Sequence, residues 1–362
     1  MKKILVVFGT RPEAVKMCPL VKELLRRRMD VRVLVTGQHR EMLSSVLDFF
    51  GVEPGYDLDI MEEGQTLFDI TERVLRGVER VLCQEDFGLV LVHGDTTTAF
   101  AAALAAFYKK IPVGHVEAGL RTYNKYSPYP EEFNRTAIDA ISDYCFAPTD
   151  KAAGALFAEG KKSGVYVTGN TVIDALSYTV KDDFRHEVLD FADGRRILLL
   201  TAHRRENIGS AMAQMFEGVK RALAEHPELC AVYPMHPNPK VRREAIAAFA
   251  DVPSVRLCEP LDVFDFHNIL SRSHIAVTDS GGVQEEAPHF GVPVLIMRDT
   301  TERQEGILSG GARLIGRSAE SVYRGICGAL AEDTYRAMSQ AENPYGDGRA
   351  CVRIADIIDG MS

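Results

Sequence analysis

The sequence predicts an α/β protein made of two doubly wound, Rossmann-like parallel-sheet domains. Three observations lead there. Short runs rich in Val, Ile and Leu lack in–out alternation, as strands buried on both faces do. Amphipathic stretches separate these runs, which is the pattern of strand–helix–strand crossovers. The pattern runs through two successive series in 362 residues, a length that suits two domains.

In chain order, the first series of expected strands is Ile4–Phe8, Val31–Thr36, Leu89–His93, Val113–Val116, Tyr144–Ala147 and Val165–Thr168. The second is Ile197–Ala202, Ala231–Tyr233, Val255–Cys258, Ile275–Thr278, Val294–Met297 and Arg313–Ile315. Within Pro12–Arg27, Met17, Leu20, Val21, Leu24 and Leu25 share one helical stripe. A further helix is expected over Thr96–Lys109, and Asp57-Leu58-Asp59 reads as a solvated loop. The expected domains are 1–170 and 171–346, joined near Gly169–Asp174 or in the charged stretch Lys181–Arg196. Beyond the turn-forming Asn343–Gly348, a short helix is expected over Ala350–Ile358.

A net charge of −9 argues against broad nucleic-acid binding, which needs a basic face to displace counterions. Seven scattered cysteines without a C-x-x-C fit reduced thiols in a cytoplasmic protein. Ile4–Phe8 is too short for a signal peptide, and no apolar run is long enough to span a bilayer, so no membrane partner is expected.

Two adjacent runs carry the most chemical information. Val92–Thr98 and Pro112–Arg121 each end an apolar strand and deliver a carboxylate, Asp95 or Glu117, just past its C-terminal end. Parallel sheets bind ligands at those ends. Helix capping would account for Asp95 alone, but not for Glu117. Phe8–Lys16 ends a strand in a Gly turn, with Pro12 at a helix start; Arg11, Lys16 and the helix N–H groups make an expected anion site. Thr278–Ala287 repeats that plan: Ser280, Gly281 and Gly282 admit a diphosphate to the backbone, and Glu286 is placed to accept ribose hydroxyls. Arg298 and Arg303 follow the next strand. Thr201–Asn207 sets His203, Arg204 and Arg205 at another strand end. Tyr126–Arg135 presents Glu131 at a helix start, where helix-dipole complementarity alone would also place an acid. There is no G-x-G-x-x-G, no Walker A loop and no metal-ligand spacing, so no cofactor or metal is expected.

Together these segments, with Gln38–Leu43 and Gly169–Asp174, closely resemble the bacterial non-hydrolysing UDP-N-acetylglucosamine 2-epimerase family, nearly end to end. The resemblance implies a GT-B architecture with the active site in the interdomain cleft. It also implies a C-terminal helix (347–362) returning to the first domain, and a homodimer. It implies interconversion of UDP-GlcNAc and UDP-ManNAc, feeding surface polysaccharide synthesis. By matched motif, Arg11, Lys16, His203, Phe266, Ser280, Gly281, Gly282, Glu286 and Arg303 would hold the nucleotide. Asp95, Glu117 and Glu131, with His203, would be catalytic. Gln38, His39, Glu131, Arg204 and His236 fall on positions similar to a regulatory UDP-GlcNAc site. This chain departs from the pattern at Gln304, Pro237 and Phe133.

The C2 proton of an N-acetyl sugar is not α to a carbonyl, so direct abstraction is prohibitively hard. Without a dinucleotide fingerprint, the remaining route is elimination of UDP to 2-acetamidoglucal and re-addition. Proton transfer on both faces then calls for more than one carboxylate. The sequence leaves open which acid takes the proton. A hydrolysing epimerase, a GT-B glycosyltransferase and a nucleotide-sugar sensor are the alternatives. The last two have no use for all three acids.

Overall fold

The computed structural model describes residues 3–37, 40–62 and 64–361. They divide into two compact units: one runs through Ala175 and resumes at Tyr345, the other is Leu176–Pro344. The division falls inside a helix, Thr171–Thr179. Among the described residues no helix is long and apolar enough to cross a membrane.

In the first unit the strands are β1 (Lys3–Phe8), β2 (Val31–Val35), β3 (Tyr56–Asp57), β4 (Phe87–His93), β5 (Val113–Val116), β6 (Tyr144–Ala147) and β7 (Val165–Val167). They form a parallel sheet in the order β3-β2-β1-β4-β5-β6-β7. Helices α1 (Arg11–Arg26), α2 (Arg40–Phe50), α3 (Leu67–Leu82), α4 (Thr97–Tyr108), α5 (Glu131–Ile141), α6 (Asp150–Ala158) and α7 (Thr171–Thr179) connect them. Every expected strand forms, to within two residues at either end. The added strand is β3: Tyr56 and Asp57 pair with Leu34 and Val35, so the stretch read as a loop begins as a sheet edge. Two residues are too few to show a period. On α1, Met17, Leu20, Val21 and Leu24 are buried as the stripe predicts, whereas Leu25 is 49% exposed. Ala99, Ala101, Ala102, Ala103, Ala105 and Ala106 are all buried, and these small side chains let α4 pack closely.

The second unit has α8 (Glu187–Ala192), β8 (Arg196–Thr201), α9 (Ser210–Glu225), β9 (Leu229–Pro234), α10 (Pro239–Phe249), β10 (Val255–Cys258) and α11 (Val263–Ser271). It continues with β11 (Ile275–Thr278), α12 (Gly281–Glu286), β12 (Val294–Ile296), α13 (Gln304–Leu308), β13 (Ala312–Leu314), α14 (Ala319–Leu330) and α15 (Glu332–Ser339). Its parallel sheet runs β10-β9-β8-β11-β12-β13.

The chain then rejoins the first unit. Tyr345 O accepts from Asn170 N at 2.7 Å, and the Asp174 carboxylate accepts from the first amides of α16 (Ala350–Asp359), Ala350 at 3.0 Å and Cys351 at 2.9 Å. That carboxylate caps the helix. Arg27 on α1 pairs with Asp356 at 2.6 Å and fixes the far side.

In each sheet the chain reverses its direction of growth once, between β1 and β4 and between β8 and β11. Such a switch point opens a crevice at the carboxyl ends of the two strands. The turns there are Gly9–Thr10 and Gly94–Thr96 in one unit, and Ala202–Arg204 and Asp279–Gly281 in the other.

Candidate active site

At the end of β4, Gly94 takes φ +63° and the chain turns into α4. Thr96 caps that helix, its Oγ1 accepting from Ala99 N at 3.0 Å, so Asp95 is not the cap. Its carboxylate meets the Arg135 guanidinium from α5, and Asn134 Nδ2 donates to Asp95 O at 2.9 Å. Burial pushes the Asp95 carboxyl up from its ordinary value; Arg135 opposes this, and Glu117 and Glu131 add repulsion.

Glu117 follows β5 in the left-handed region, φ +68°. A residue that is not Gly rarely stands there, and such strain collects at functional sites. Its Oε2 accepts from Lys16 Nζ on α1 and from Asn170 Nδ2 at 3.0 Å, with His93 Nε2 3.6 Å away. Burial alone would raise this carboxyl, but Lys16 and His93 hold it well below the usual range. Oε1 faces Gly94, 4.0 Å from where a Cβ would stand. Two neighbouring acids are thus driven in opposite directions, the condition that separates an acid from a base. Glu131 opens α5 half-buried.

The scaffold behind them is a buried ion network. His115 Nδ1 lies 2.6 Å from Asp139 Oδ1, and its Nε2 lies 2.7 Å from Gly94 O. Asp139 also accepts from Gly119 N at 3.1 Å and from Arg121 at 2.7 Å. One carboxylate on α5 therefore ties together the turns that carry Asp95 and Glu117. Burial would raise Asp139, but His115 and Arg121 bring it below its ordinary value. Buried Glu132 accepts from Thr122 N and Tyr123 N, both at 2.8 Å, and anchors the loop before α5.

At the start of α1, where an anion site is expected, a side chain already occupies the preceding turn. Glu13 Oε2 already accepts from Gly9 N at 3.0 Å and Thr10 N at 2.7 Å, closing a capping box. Lys16 lies against Glu117, while Arg11 remains half-exposed.

In the second unit, fully buried Asp279 organises the turn after β8. It accepts from His203 N at 3.1 and 3.0 Å, Arg204 N at 3.0 Å and Asn207 Nδ2 at 2.9 Å. The His203 ring, 38% exposed, stacks on His236 with centroids 5.5 Å apart. Burial and the neighbouring His203 lower His236 from its ordinary value. Ser280 precedes α12, and a Cβ at Gly281 would stand 2.7 Å from Arg303 Cζ, so Arg303 would have to move. Arg303 Nε donates to Glu285 at 2.6 Å. Glu302 joins Arg303 and Arg298 at 2.8 Å each and Arg204 at 3.1 Å; against its burial, Arg303 and Arg298 hold it at about 2. Glu286 lies 3.6 Å from buried His267, beside Phe266, which packs edge-on against that histidine.

The structure therefore brings Asp95, Glu117 and Lys16 together, and separately gathers His203, Arg204, Ser280–Gly282 and Arg303. Gln38 and His39 lie outside the described residues. Sequence reasoning missed His93, Arg135, Asp139, Asn170 and Glu302 as neighbours of these groups. Asp139 carried a usable signal, an acid on the apolar side of its helix beside Ile138.

Fold and site define a class: a two-unit α/β protein of the GT-B type with Rossmann-like sheets and charged groups at both switch points. The family model described as UDP-N-acetylglucosamine 2-epimerase matches residues 22–359. A Bacillus subtilis UDP-N-acetylglucosamine 2-epimerase is 53% identical, covering 98% of this chain and 94% of its own. The structure of S. aureus MnaA with UDP has TM-score 0.91 and 48% identity, over 100% of this chain and 97% of that one. The Neisseria meningitidis UDP-GlcNAc 2-epimerase bound to UDP-GlcNAc has TM-score 0.89 and 42% identity, over 99% and 100%. The chain belongs to the UDP-N-acetylglucosamine 2-epimerase family.

Proposed function

We propose that this chain interconverts UDP-GlcNAc and UDP-ManNAc by eliminating UDP to 2-acetamidoglucal and re-adding it, without releasing the sugar. The observation that carries the reading is the pair Asp95 and Glu117, adjacent at a switch point and shifted in opposite directions. Glu117, ionised and with Oε1 turned away from its partners, is suited to take a proton. Asp95, raised by burial, is suited to return one to the other face. Glu131 is the third acid in reach of Asp95. Ser280–Gly282, Arg303 and His203 stabilise the leaving diphosphate electrostatically, with Arg11, Phe266 and Glu286 completing the nucleotide contacts. Lys16 serves Glu117 first.

The test is turnover of UDP-GlcNAc in deuterated water without added NAD or metal. The expected product is UDP-ManNAc carrying deuterium at C2. Stoichiometric free ManNAc would identify a hydrolysing enzyme, and product without deuterium would overturn the elimination.

Two further parts of the reading follow. Arg204 and His236, beside His203, belong to a regulatory UDP-GlcNAc site, so pure UDP-ManNAc should react only after a lag that added UDP-GlcNAc abolishes. The protein is a cytoplasmic homodimer serving polysaccharide synthesis. A groove of about 920 Å³ between α3, α4 and α5 exposes Phe68, Tyr108, Tyr126, Tyr129 and Phe133. Exposed aromatic surface of this kind marks association. Phe68→Glu should lower the sedimentation mass from dimer to monomer; an unchanged mass places the contact elsewhere.

A further inference from the structure

His93 ends β4 and is 4% exposed, yet neither ring nitrogen has a hydrogen-bond partner among the described residues. Each unsatisfied buried nitrogen costs about 1–3 kcal/mol, and such groups are rare enough in native proteins to need a reason. A phenyl ring would fill the same space without that cost. An acid faces the ring: Glu117 Oε2 stands 3.6 Å from Nε2. In the β4–β5 register His93 stands opposite Val116, so the strand pairing itself places the ring beside the next residue, Glu117.

We propose that His93 is a positioning residue for Glu117, sharing one proton with it through Nε2 and Oε2. The inference rests on the assignment of Glu117 to proton transfer. With the proton on Nε2 the pair is imidazolium and carboxylate; with it on Oε2, neutral imidazole and carboxylic acid. The exchange breaks one O–H bond, leaving its electron pair on oxygen, and makes one N–H bond, with no other reactant. Lys16, Asn170 and His93 all address Oε2, so Oε1 is the oxygen left for the sugar. The small separation left between Nε2 and Oε2 closes when the proton is shared, because a charge-assisted hydrogen bond is shorter than a neutral contact.

The experiment compares His93→Phe, His93→Gln, Glu117→Gln and the double variant His93→Phe/Glu117→Gln. His93→Phe should fold with unchanged or higher thermal midpoint, bind UDP as the parent does, and keep its KM within twofold. Its kcat should fall about 10²-fold, the scale of a misplaced catalytic group. His93→Gln, which keeps an N–H donor but cannot take up or release a proton near neutral pH, should recover only part of that loss; it carries the test if the Phe variant fails to fold. Adding His93→Phe to Glu117→Gln should cost nothing further. A normal kcat in both His93 variants beside an inactive Glu117→Gln would overturn this proposal alone, as would multiplicative losses in the double variant. A normal Glu117→Gln would overturn the assignment beneath it.

Discussion

The two switch points share one topology and hold opposite chemistry. Beside the first, at the ends of β4 and β5, the prominent groups are acids, each with a cation drawn from a distant helix: Lys16 on Glu117, Arg135 on Asp95. Between β8 and β11 the buried group is Asp279, spent on backbone N–H groups, and the outward groups are arginines. Those arginines are held by Glu302 and Glu285, in more exposed surroundings. The acids of the first unit are desolvated and fixed, as proton transfer requires. The cations of the second are paired with acids that an incoming diphosphate can replace as partner. The difference lies in side chains alone, because the backbone plan is the same.

The sharpest way to break this comparison is to neutralise one acid. Glu117→Gln and Asp95→Asn should each lower kcat by about 10²–10⁴-fold, the usual contribution of a proton-transfer group. UDP affinity, measured by calorimetry, should stay within about threefold, since diphosphate binding is assigned to the other unit. Equal losses of turnover and of UDP affinity would show that the acids and the cations do not divide the work.

Much of this division was legible beforehand, for a physical reason. A buried parallel strand announces itself by an unbroken apolar run, and the residue after it falls at the ligand-binding end. Asp95, Glu117, His203 and Ser280 were found that way. Partners were not legible. Lys16 and Glu117 are 101 residues apart, and Asp95 and Arg135 are 40 apart. Only the sheet order joins them. At α1, where an anion site is expected, Glu13 folds back onto the amides of Gly9 and Thr10, a capping contact that the sequence reading did not single out. His93 ends β4 opposite Val116, and that pairing, which sets it beside Glu117, joins two strands that no local pattern connects.

A second prediction concerns what keeps the acid cluster rigid. Asp139 is 2% exposed and bonded to His115, Gly119 and Arg121. Asp139→Leu leaves Arg121 without its buried acid, and should cost about 3–5 kcal/mol in urea unfolding at neutral pH. The pH dependence has a defined sign. The folded carboxyl is lowered below its ordinary value, so its stabilisation is complete above the unfolded range near 4 and is lost as pH falls through the depressed folded value. The gap between parent and variant should therefore shrink below about pH 4. A gap that is constant down to pH 2 would mean that the carboxylate charge contributes nothing.

The smallest effect distinguishes two adjacent glycines in the cationic turn. A Cβ at Gly281 would stand 2.7 Å from Arg303 Cζ, closer than such atoms approach, while one at Gly282 would stand 3.3 Å from Glu286 Oε1. The Arg303 guanidinium yields only by giving up bonds, because its Nε donates to Glu285 at 2.6 Å and its Nη1 to Glu302 at 2.8 Å. The Glu286 carboxylate needs to move only a few tenths of an ångström. Gly281→Ala should therefore displace Arg303 and weaken UDP binding by about tenfold, the worth of one charge-assisted hydrogen bond at the low end of its range. Gly282→Ala should weaken it by less than about twofold, the effect of a contact that relaxes. In both variants kcat at saturating substrate should stay within a factor of two, because Asp95 and Glu117 are untouched. KM should carry the whole effect. If Gly281→Ala lowered kcat as strongly as Glu117→Gln, the two switch points would not be separable, and the contrast between a fixed acid pair and an exchangeable cation cluster would fail.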